Sequence, residues 1–250
     1  PEAVIVVTGC SAELDRDAFL TDGAADVVLS NPEKRSLPEL VLEYLAGRTD
    51  PGGAARSSEE PITPFRERAF GSFPFRSRAF LKIQEGCQNG CAYCIIPSVR
   101  GPIRSRPLEE IRQEAERLAG AGFSELVLTG IHLSSYGRDV EERPTLLDAI
   151  AQVQAVPQVR RIRLGSLEPT IATPSFASRL KELDKVCPQF HLALQSGSDT
   201  VLARMARRYN TEMYLTGVEN LRREFPEAAF TTDILTGFPG ETEEEYAQTR

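Results

Sequence analysis

Lys82-Ile83-Gln84-Glu85-Gly86-Cys87-Gln88-Asn89-Gly90-Cys91-Ala92-Tyr93-Cys94 decides how the rest of the chain is read. Residues 80–85 form a strand-like run, and the loop after them carries three thiols in a Cys-x3-Cys-x2-Cys spacing. Iron–sulfur clusters are ordinarily held by cysteine thiolates, one per iron. Three local ligands leave one iron of a four-iron cube open, much as catalytic metal sites keep a position free for a small molecule. The pattern therefore points to chemistry rather than to electron storage.

Other uses of the thiols stay open at this level. A structural zinc site takes four ligands in paired knuckles. The remaining candidates, Cys10, Cys187, His132 and His191, each stand without a second ligand nearby. A disulfide framework belongs to small, secreted, cysteine-dense chains. Five cysteines in 250 residues, with no signal-peptide pattern, do not fit it. Unliganded thiols are the remaining alternative. His132 reads as a hydrogen-bonded packing residue, His191 as core within an apolar strand, and Cys187 as a small buried apolar side chain.

Working outward, the chain is 41% apolar and 26% charged, ordinary globular usage. No run approaches the ~18 apolar residues of a membrane span, and unpaired cysteines without an export signal favour the cytoplasm. A net charge of −7 argues mildly against nucleic acid as a partner. Its distribution softens this: eight basic residues from Arg66 to Arg106, against Glu67 and Glu85, leave −13 for the remainder. A basic collar thus brackets the cysteine loop, although a solvated charged face reads equally well.

Residues 1–45 read as strand, helix, strand, helix, and the unbroken run Val4–Val7 suits a strand covered on both faces. The chain begins on that strand without Met and stops in an acidic helix start, so truncation at both ends is expected. Residues 46–79, rich in Gly, Pro, Ser and Arg, read as a linker. From residue 80, strands near 80–85, 124–129, 159–164, 189–194 and 229–236 alternate with helices near 107–119, 144–154, 174–184, 199–207 and 211–224. Helix 107 shows the logic: Pro107 suits a first turn, Leu108, Ile111, Ala115 and Leu118 make one stripe, and Gly120 and Gly122 end it. The alternation predicts an α/β fold of βαβ units with a parallel sheet, curling toward a partial barrel. Ligands in such folds gather at the C-terminal strand ends, where the cysteine loop lies.

The other strand ends are polar or glycine-rich. Gln195-Ser196-Gly197-Ser198 has hydroxyl and amide groups for a ribose or carboxylate, with Asp199 placed to cap the next helix. Asp233 to Glu241 holds Gly237 and Gly240, which allow close backbone approach. Thr242 and Glu245 form a capping box. Thr129-Gly130-Ile131-His132 and Gly165-Ser166-Leu167-Glu168-Pro169 end the two strands between.

With these pieces laid out, the chain resembles the radical S-adenosylmethionine (SAM) methylthiotransferases. The most specific stretch runs from Lys82 to Pro97, then Arg100-Gly101 and Arg104-Ser105-Arg106-Pro107. Thr129 to His132, Ser135-Tyr136-Gly137 and Arg163 to Pro169 look most like the branch acting on threonylcarbamoyladenosine (t6A) in tRNA. Branches acting on isopentenyladenosine or on a ribosomal protein are the runners-up. An iron–sulfur electron carrier, or an RNA-binding module without catalysis, is the reading from outside the family.

The resemblance implies a radical SAM core at 79–250, a linker at 49–78, and at 1–48 the end of a methylthiotransferase N-terminal domain. It implies a 4Fe-4S cluster on Cys87, Cys91 and Cys94, whose open iron binds the amino and carboxylate groups of SAM. Tyr93, Ser166, Gln195, Ser196, Asp233 and Gly237 would contact SAM. One electron would cleave SAM, and the resulting radical would take hydrogen from C2 of the adenine. Sulfur would come from a second 4Fe-4S cluster, with Cys10 as one ligand and the others outside this chain; a further SAM would give the methyl group. The implied partners are the tRNA anticodon loop, with the modified adenosine at position 37, and a reductant such as flavodoxin or ferredoxin, with no membrane.

Overall fold

The computed structural model describes residues 3–31, 33–47 and 77–250, which fall into two compact units. One gathers the described residues up to 47 with Ile95–Gly101, and the other gathers 77–94 with Pro102–Arg250. The expected linker at 49–78 lies outside the described residues save for its last two positions, as do Arg66, Arg68 and Arg76 of the basic collar.

In the first unit, β1 (Val6–Thr8) runs parallel to β2 (Val27–Leu29). Between them lie α1 (Cys10–Leu14) and α2 (Arg16–Thr21), and α3 (Leu37–Leu45) follows. Helix α4 (Ile96–Arg100) belongs here too, with the Asn31 side-chain amide donating to the Val99 carbonyl at 2.8 Å. The expectation that the first strand is covered on both faces is not met. β2 is buried throughout, whereas Ile5 is 50% exposed and β1 only partly covered. Among the described residues β1 has one neighbouring strand, β2.

The second unit is built on parallel strands β3 (Ala79–Glu85), β5 (Glu125–Gly130) and β6 (Arg161–Leu164). A short antiparallel strand, β4 (Arg104–Ser105), closes the outer edge of β3. β7 (Gln189–His191) and β8 (Ala229–Thr231) pair in parallel. Parallel bridges Ile162↔Val186 and Leu167↔Leu192 join β6 to the β7 side. β7 and β8 are shorter than the 189–194 and 229–236 runs suggested. Past residue 191 the chain keeps only single bridges, Leu192 to Leu167 and Gln195 to Ile234, as the strand ends splay into loops.

One face of this sheet is apolar. Leu81, Ile83, Leu126, Leu128, Ile162 and Phe190 are at most 1% exposed and pack against helices, each contributing on the order of 1.5–3 kcal/mol. The helices are α5 (Leu108–Gly120), α6 (Leu146–Gln154), α7 (Pro174–Lys181) and α9 (Thr211–Glu224). In α5, Ile111, Ala115 and Leu118 are buried, the stripe expected of that helix. The opposite face is polar, because side chains alternate along a strand. There Arg163 bonds Glu125 and Gln189, and Gln189 reaches Thr231. His191 lies on this polar side, bonding Thr231 Oγ1 at 3.1 Å and pairing with Asp233 at 3.5 Å. The core reading of His191 is therefore corrected: its neighbours Phe190 and Leu192 are fully buried, and period-two alternation turns His191 away from them. Cys187 is buried, as expected.

At the chain's end α10 (Glu243–Thr249) starts with the expected Thr242–Glu245 capping box. Asp199 behaves differently from its assignment as a cap. Ser198 occupies the N-cap of α8 (Asp199–Arg204) without a side-chain cap bond, and the Asp199 carboxylate instead accepts from Thr211 N at 2.8 Å. Gly137 is required by geometry, with φ +81 and a would-be Cβ only 1.6 Å from the Pro144 carbonyl oxygen. Gly137→Ala is expected to cost about 2–3 kcal/mol, since strain at a special backbone angle adds to overpacking. Urea unfolding checks this, and a midpoint equal to the parent's contradicts it.

Candidate metal-cluster site

The cysteine loop leaves the C-terminal end of β3 and is pinned on both sides. Ala92 N donates to Met205 O at 3.0 Å, tying the loop to the segment after α8, and Cys94 N donates to Cys91 O at 3.0 Å. Cys87 is buried, Cys91 and Cys94 are half-buried, and none is in a disulfide. Burial pushes the Cys87 thiol up, the Asn89 amide 3.4 Å from its sulfur opposes that, and Cys91, Cys94 and Glu168 push it up further. The three sulfurs thus share one electrostatic neighbourhood.

Arg207 brings a positive charge to Cys91. Its guanidinium donates to Cys91 Sγ at 3.1 Å and to Tyr209 Oη at 2.9 Å, and lies 3.6 Å from Glu168. Ala206, with φ +55, turns the chain just ahead of it. Tyr209 Oη donates to the carbonyls of Ala193 and Leu194 at 2.5 and 3.1 Å, anchoring the arginine to the end of β7. Glu168, after β6, is the other hub. It accepts from Asn89 Nδ2 at 3.5 Å and meets His132 Nε2 at 2.8 Å. Burial pushes its carboxyl up, yet His132, Arg207 and Asn89 outweigh this and hold it below the usual carboxylate range. His132 is half-buried, and its Nδ1 is buried with no hydrogen-bond partner among the described residues. Gln84 completes the layer, its side chain accepting from His132 N at 2.7 Å and donating to Glu85 O and Gly86 O.

The other predicted site residues are less uniform. Tyr93 is exposed at the loop's tip, and partial desolvation pushes its phenol's pKa up against the opposing charge and hydrogen bond of Arg207. Ser166 is exposed beyond β6, and Gln195 is half-buried with φ +71. Ser196 is fully buried, with its hydroxyl 3.2 Å from Thr249 Oγ1. Asp233 is largely exposed and pairs with His191. Gly237 adopts φ +72 with its N–H donating to Glu241 at 2.5 Å. Cys10 opens α1 in the first unit. Sequence reasoning missed Arg207, Tyr209 and Asn89 as members of one network, because no local spacing links 89, 168 and 207. Two cations of the basic collar serve the fold. Lys82 pairs with Glu85, and Arg106 is buried, pairing with Glu110 at 3.7 Å.

Residues 81–250 match the radical SAM superfamily, so the chain belongs to that superfamily. Its curated relatives are narrower in kind. It is 36% identical over 250 residues to the threonylcarbamoyladenosine tRNA methylthiotransferase MtaB of Bacillus subtilis, spanning 100% of this chain and 55% of the relative. It is 37% identical over 254 residues to the tRNA-2-methylthio-N(6)-dimethylallyladenosine synthase of Moorella thermoacetica, spanning 100% and 56%. The resemblance to methylthiotransferases is borne out. The chain spans about half the length of the curated relatives it matches. Among solved structures, the cobalamin-dependent radical SAM enzyme OxsB aligns with a TM-score of 0.67 at 11% identity, over 98% of this chain and 38% of that one. The radical SAM methyltransferase TsrM from Kitasatospora setae also gives 0.67, at 19% identity, over 97% and 52%. At such identities the fold is what they share: a mixed α/β radical SAM fold.

The superfamily implies a 4Fe-4S cluster and SAM, and the donor set fits the cluster. Three thiols and a buried guanidinium are what a negatively charged thiolate cluster asks of its loop. Among the described residues no group of three His, Cys, Asp or Glu side chains is arranged to hold one metal ion. That arrangement concerns a single ion, since a tetrahedral zinc with sulfurs at about 2.3 Å draws them to within about 4 Å of each other. On a cube each thiolate has its own iron.

Proposed function

We propose that the protein is a radical SAM tRNA methylthiotransferase that places a methylthio group on C2 of t6A at position 37 of the anticodon loop. The single observation that carries the radical SAM chemistry is the trio Cys87, Cys91 and Cys94 after the parallel strand β3, with Arg207 donating to Cys91 Sγ; the methylthio step and the t6A substrate rest on the likeness to MtaB. When bound, the cluster supplies the one electron that cleaves a carbon–sulfur bond of SAM. The chain's own residues position and insulate. Arg207 offsets thiolate charge, Glu168 fixes Arg207 and His132, and Asn89 ties the loop to Glu168. Backbone near Gln195, Asp233 and Gly237, with Tyr93 and Ser166, would contact SAM at the neighbouring strand ends. Ser196 acts through the backbone of its turn, its hydroxyl being engaged with Thr249.

The domain reading proposed from the sequence goes with this: a methylthiotransferase N-terminal portion to residue 48, a linker at 49–78 and the radical SAM core at 79–250. Cys10, at the start of α1, would be one ligand of an auxiliary 4Fe-4S cluster that donates sulfur, completed by residues outside this chain. A flavodoxin or ferredoxin would supply electrons. No helix among the described residues is long and apolar enough to cross a membrane, and the reaction would belong to the cytoplasm.

The dimethylallyl-adenosine reading has its own support, since a Clostridium tetani synthase of that name is 40% identical over 173 residues. Mass spectrometry of anticodon-loop nucleosides from cells lacking the gene separates the two. Loss of methylthio-t6A alone is expected; loss of the methylthio-dimethylallyl nucleoside instead would overturn the t6A assignment.

A further inference from the structure

Beside the cysteine-loop network lies a cavity of about 500 Å3 that no part of the proposed chemistry uses. Its walls come from the loops after β5 and β6 and from the first turns of α6 and α7, on the side of the sheet where the strands end. Three arginines, Arg138, Arg143 and Arg179, line it together with Ser134, Thr145 and Thr170. All three arginines are exposed, and among the described residues no carboxylate lies within ion-pair distance of any of them. Arg179 feels the charge of Asp148, but that carboxylate is committed to Thr145 through the capping box at 2.6 and 2.7 Å. The helix starts are likewise satisfied by Thr145 and Thr173. Unpaired positive charge, and not free helix amides, is what the cavity offers.

Three guanidinium forks around a polar hollow suit an oxyanion, because each presents parallel N–H donors to a carboxylate or phosphate. The cavity also connects to the reaction site through a single residue. Ser134 lines it, and Ser134 Oγ accepts from Glu168 N at 2.9 Å, while the Glu168 side chain holds Asn89 of the cysteine loop. Gly137 and the left-handed Arg143 (φ +46) shape the loop that carries two of the arginines.

We propose that this cavity is the oxyanion subsite of the RNA substrate, with Arg138, Arg143 and Arg179 as its anion-binding residues. The inference rests on the tRNA-modifying reading above. The oxyanion has two sources in such a substrate: the carboxylate of the threonylcarbamoyl group, which a dimethylallyl group lacks, or a backbone phosphate beside the target nucleoside.

The test measures binding of two anticodon stem-loop RNAs, one carrying t6A and one carrying plain adenosine, by fluorescence anisotropy across a salt series. The proteins are the parent chain, the double variant Arg138→Gln/Arg179→Gln, and Arg160→Gln as a control for an exposed arginine outside the cavity. Unchanged thermal unfolding is expected for both variants, since the replaced side chains are exposed. About tenfold weaker binding by the double variant is expected, the size of one lost charge-assisted contact. A loss confined to the t6A RNA assigns the carboxylate. An equal loss on both RNAs, with a salt slope shallower by about 0.7 per single-strand phosphate contact removed, assigns the phosphate. A loss no larger than that of Arg160→Gln on either RNA overturns the subsite and leaves the methylthiotransferase reading standing. A parent chain that binds neither RNA sinks the RNA partnership and the subsite with it.

Discussion

Replacing Cys87 with alanine is expected to remove SAM cleavage from the reconstituted, reduced protein, and Cys91→Ala and Cys94→Ala are expected to do the same. The effect is expected to exceed about a hundredfold, because losing a partner that merely orients a metal ligand already costs about 10–100-fold. Each thiolate would hold its own iron, so no neighbour would substitute for it. Cys187→Ala is the control. This thiol is equally buried, but its backbone bonds to Ile162 in the β6 region and it belongs to the core rather than the loop. Iron content and deoxyadenosine release measured on all four variants check the prediction. Parent-level cleavage by any of the three loop variants contradicts it.

Glu168→Ala is expected to destabilise the fold by about 3–5 kcal/mol, the usual cost of removing one partner from a buried ion pair. The size follows from burial: the Glu168 and Arg207 side chains are only 8% and 10% exposed. Without the carboxylate, Arg207 keeps its charge with Cys91, Tyr209 and Tyr93 as partners, none of them a carboxylate, and His132 loses its contact on Nε2. Glu168→Gln keeps the shape and loses the charge, so it should fall between the two. The pH dependence has a definite sign. The Glu168 carboxyl titrates below its ordinary value of 4.5, so its stabilising contribution is complete above that pH and fades as pH falls through the lowered value. Urea midpoints of the three proteins at neutral and acid pH test this. A parent and an alanine variant of equal stability at neutral pH would rule out the hub role of Glu168.

The parallel-sheet architecture was legible because its signals are local. The stripe Ile111, Ala115, Leu118 marks α5, and the Thr242–Glu245 pair marks α10. The cysteine trio was legible for the same reason, since its members lie within eight residues of each other. What stayed hidden depends on chain segments far apart meeting in the fold. Arg207 reaches Cys91 across more than a hundred positions, and Glu168 meets Asn89 across nearly eighty. The misplacements have similar causes. His191 follows strand alternation to the polar face although its neighbours are core. Asp199 serves the start of α9 instead of its own helix, a choice made by the turn at 205–210 and not by any capping rule.

On the proposed reading, Cys87, Cys91 and Cys94 hold three irons of a cube and leave the fourth for SAM. Electron–nuclear double resonance on the reduced, reconstituted chain tests it most directly, using SAM labelled with nitrogen-15 in its amino group and oxygen-17 in its carboxylate. Hyperfine coupling of both labels to the cluster spin is expected. A four-iron signal that gains no coupling from either label, because a protein atom already occupies the fourth iron, would contradict it.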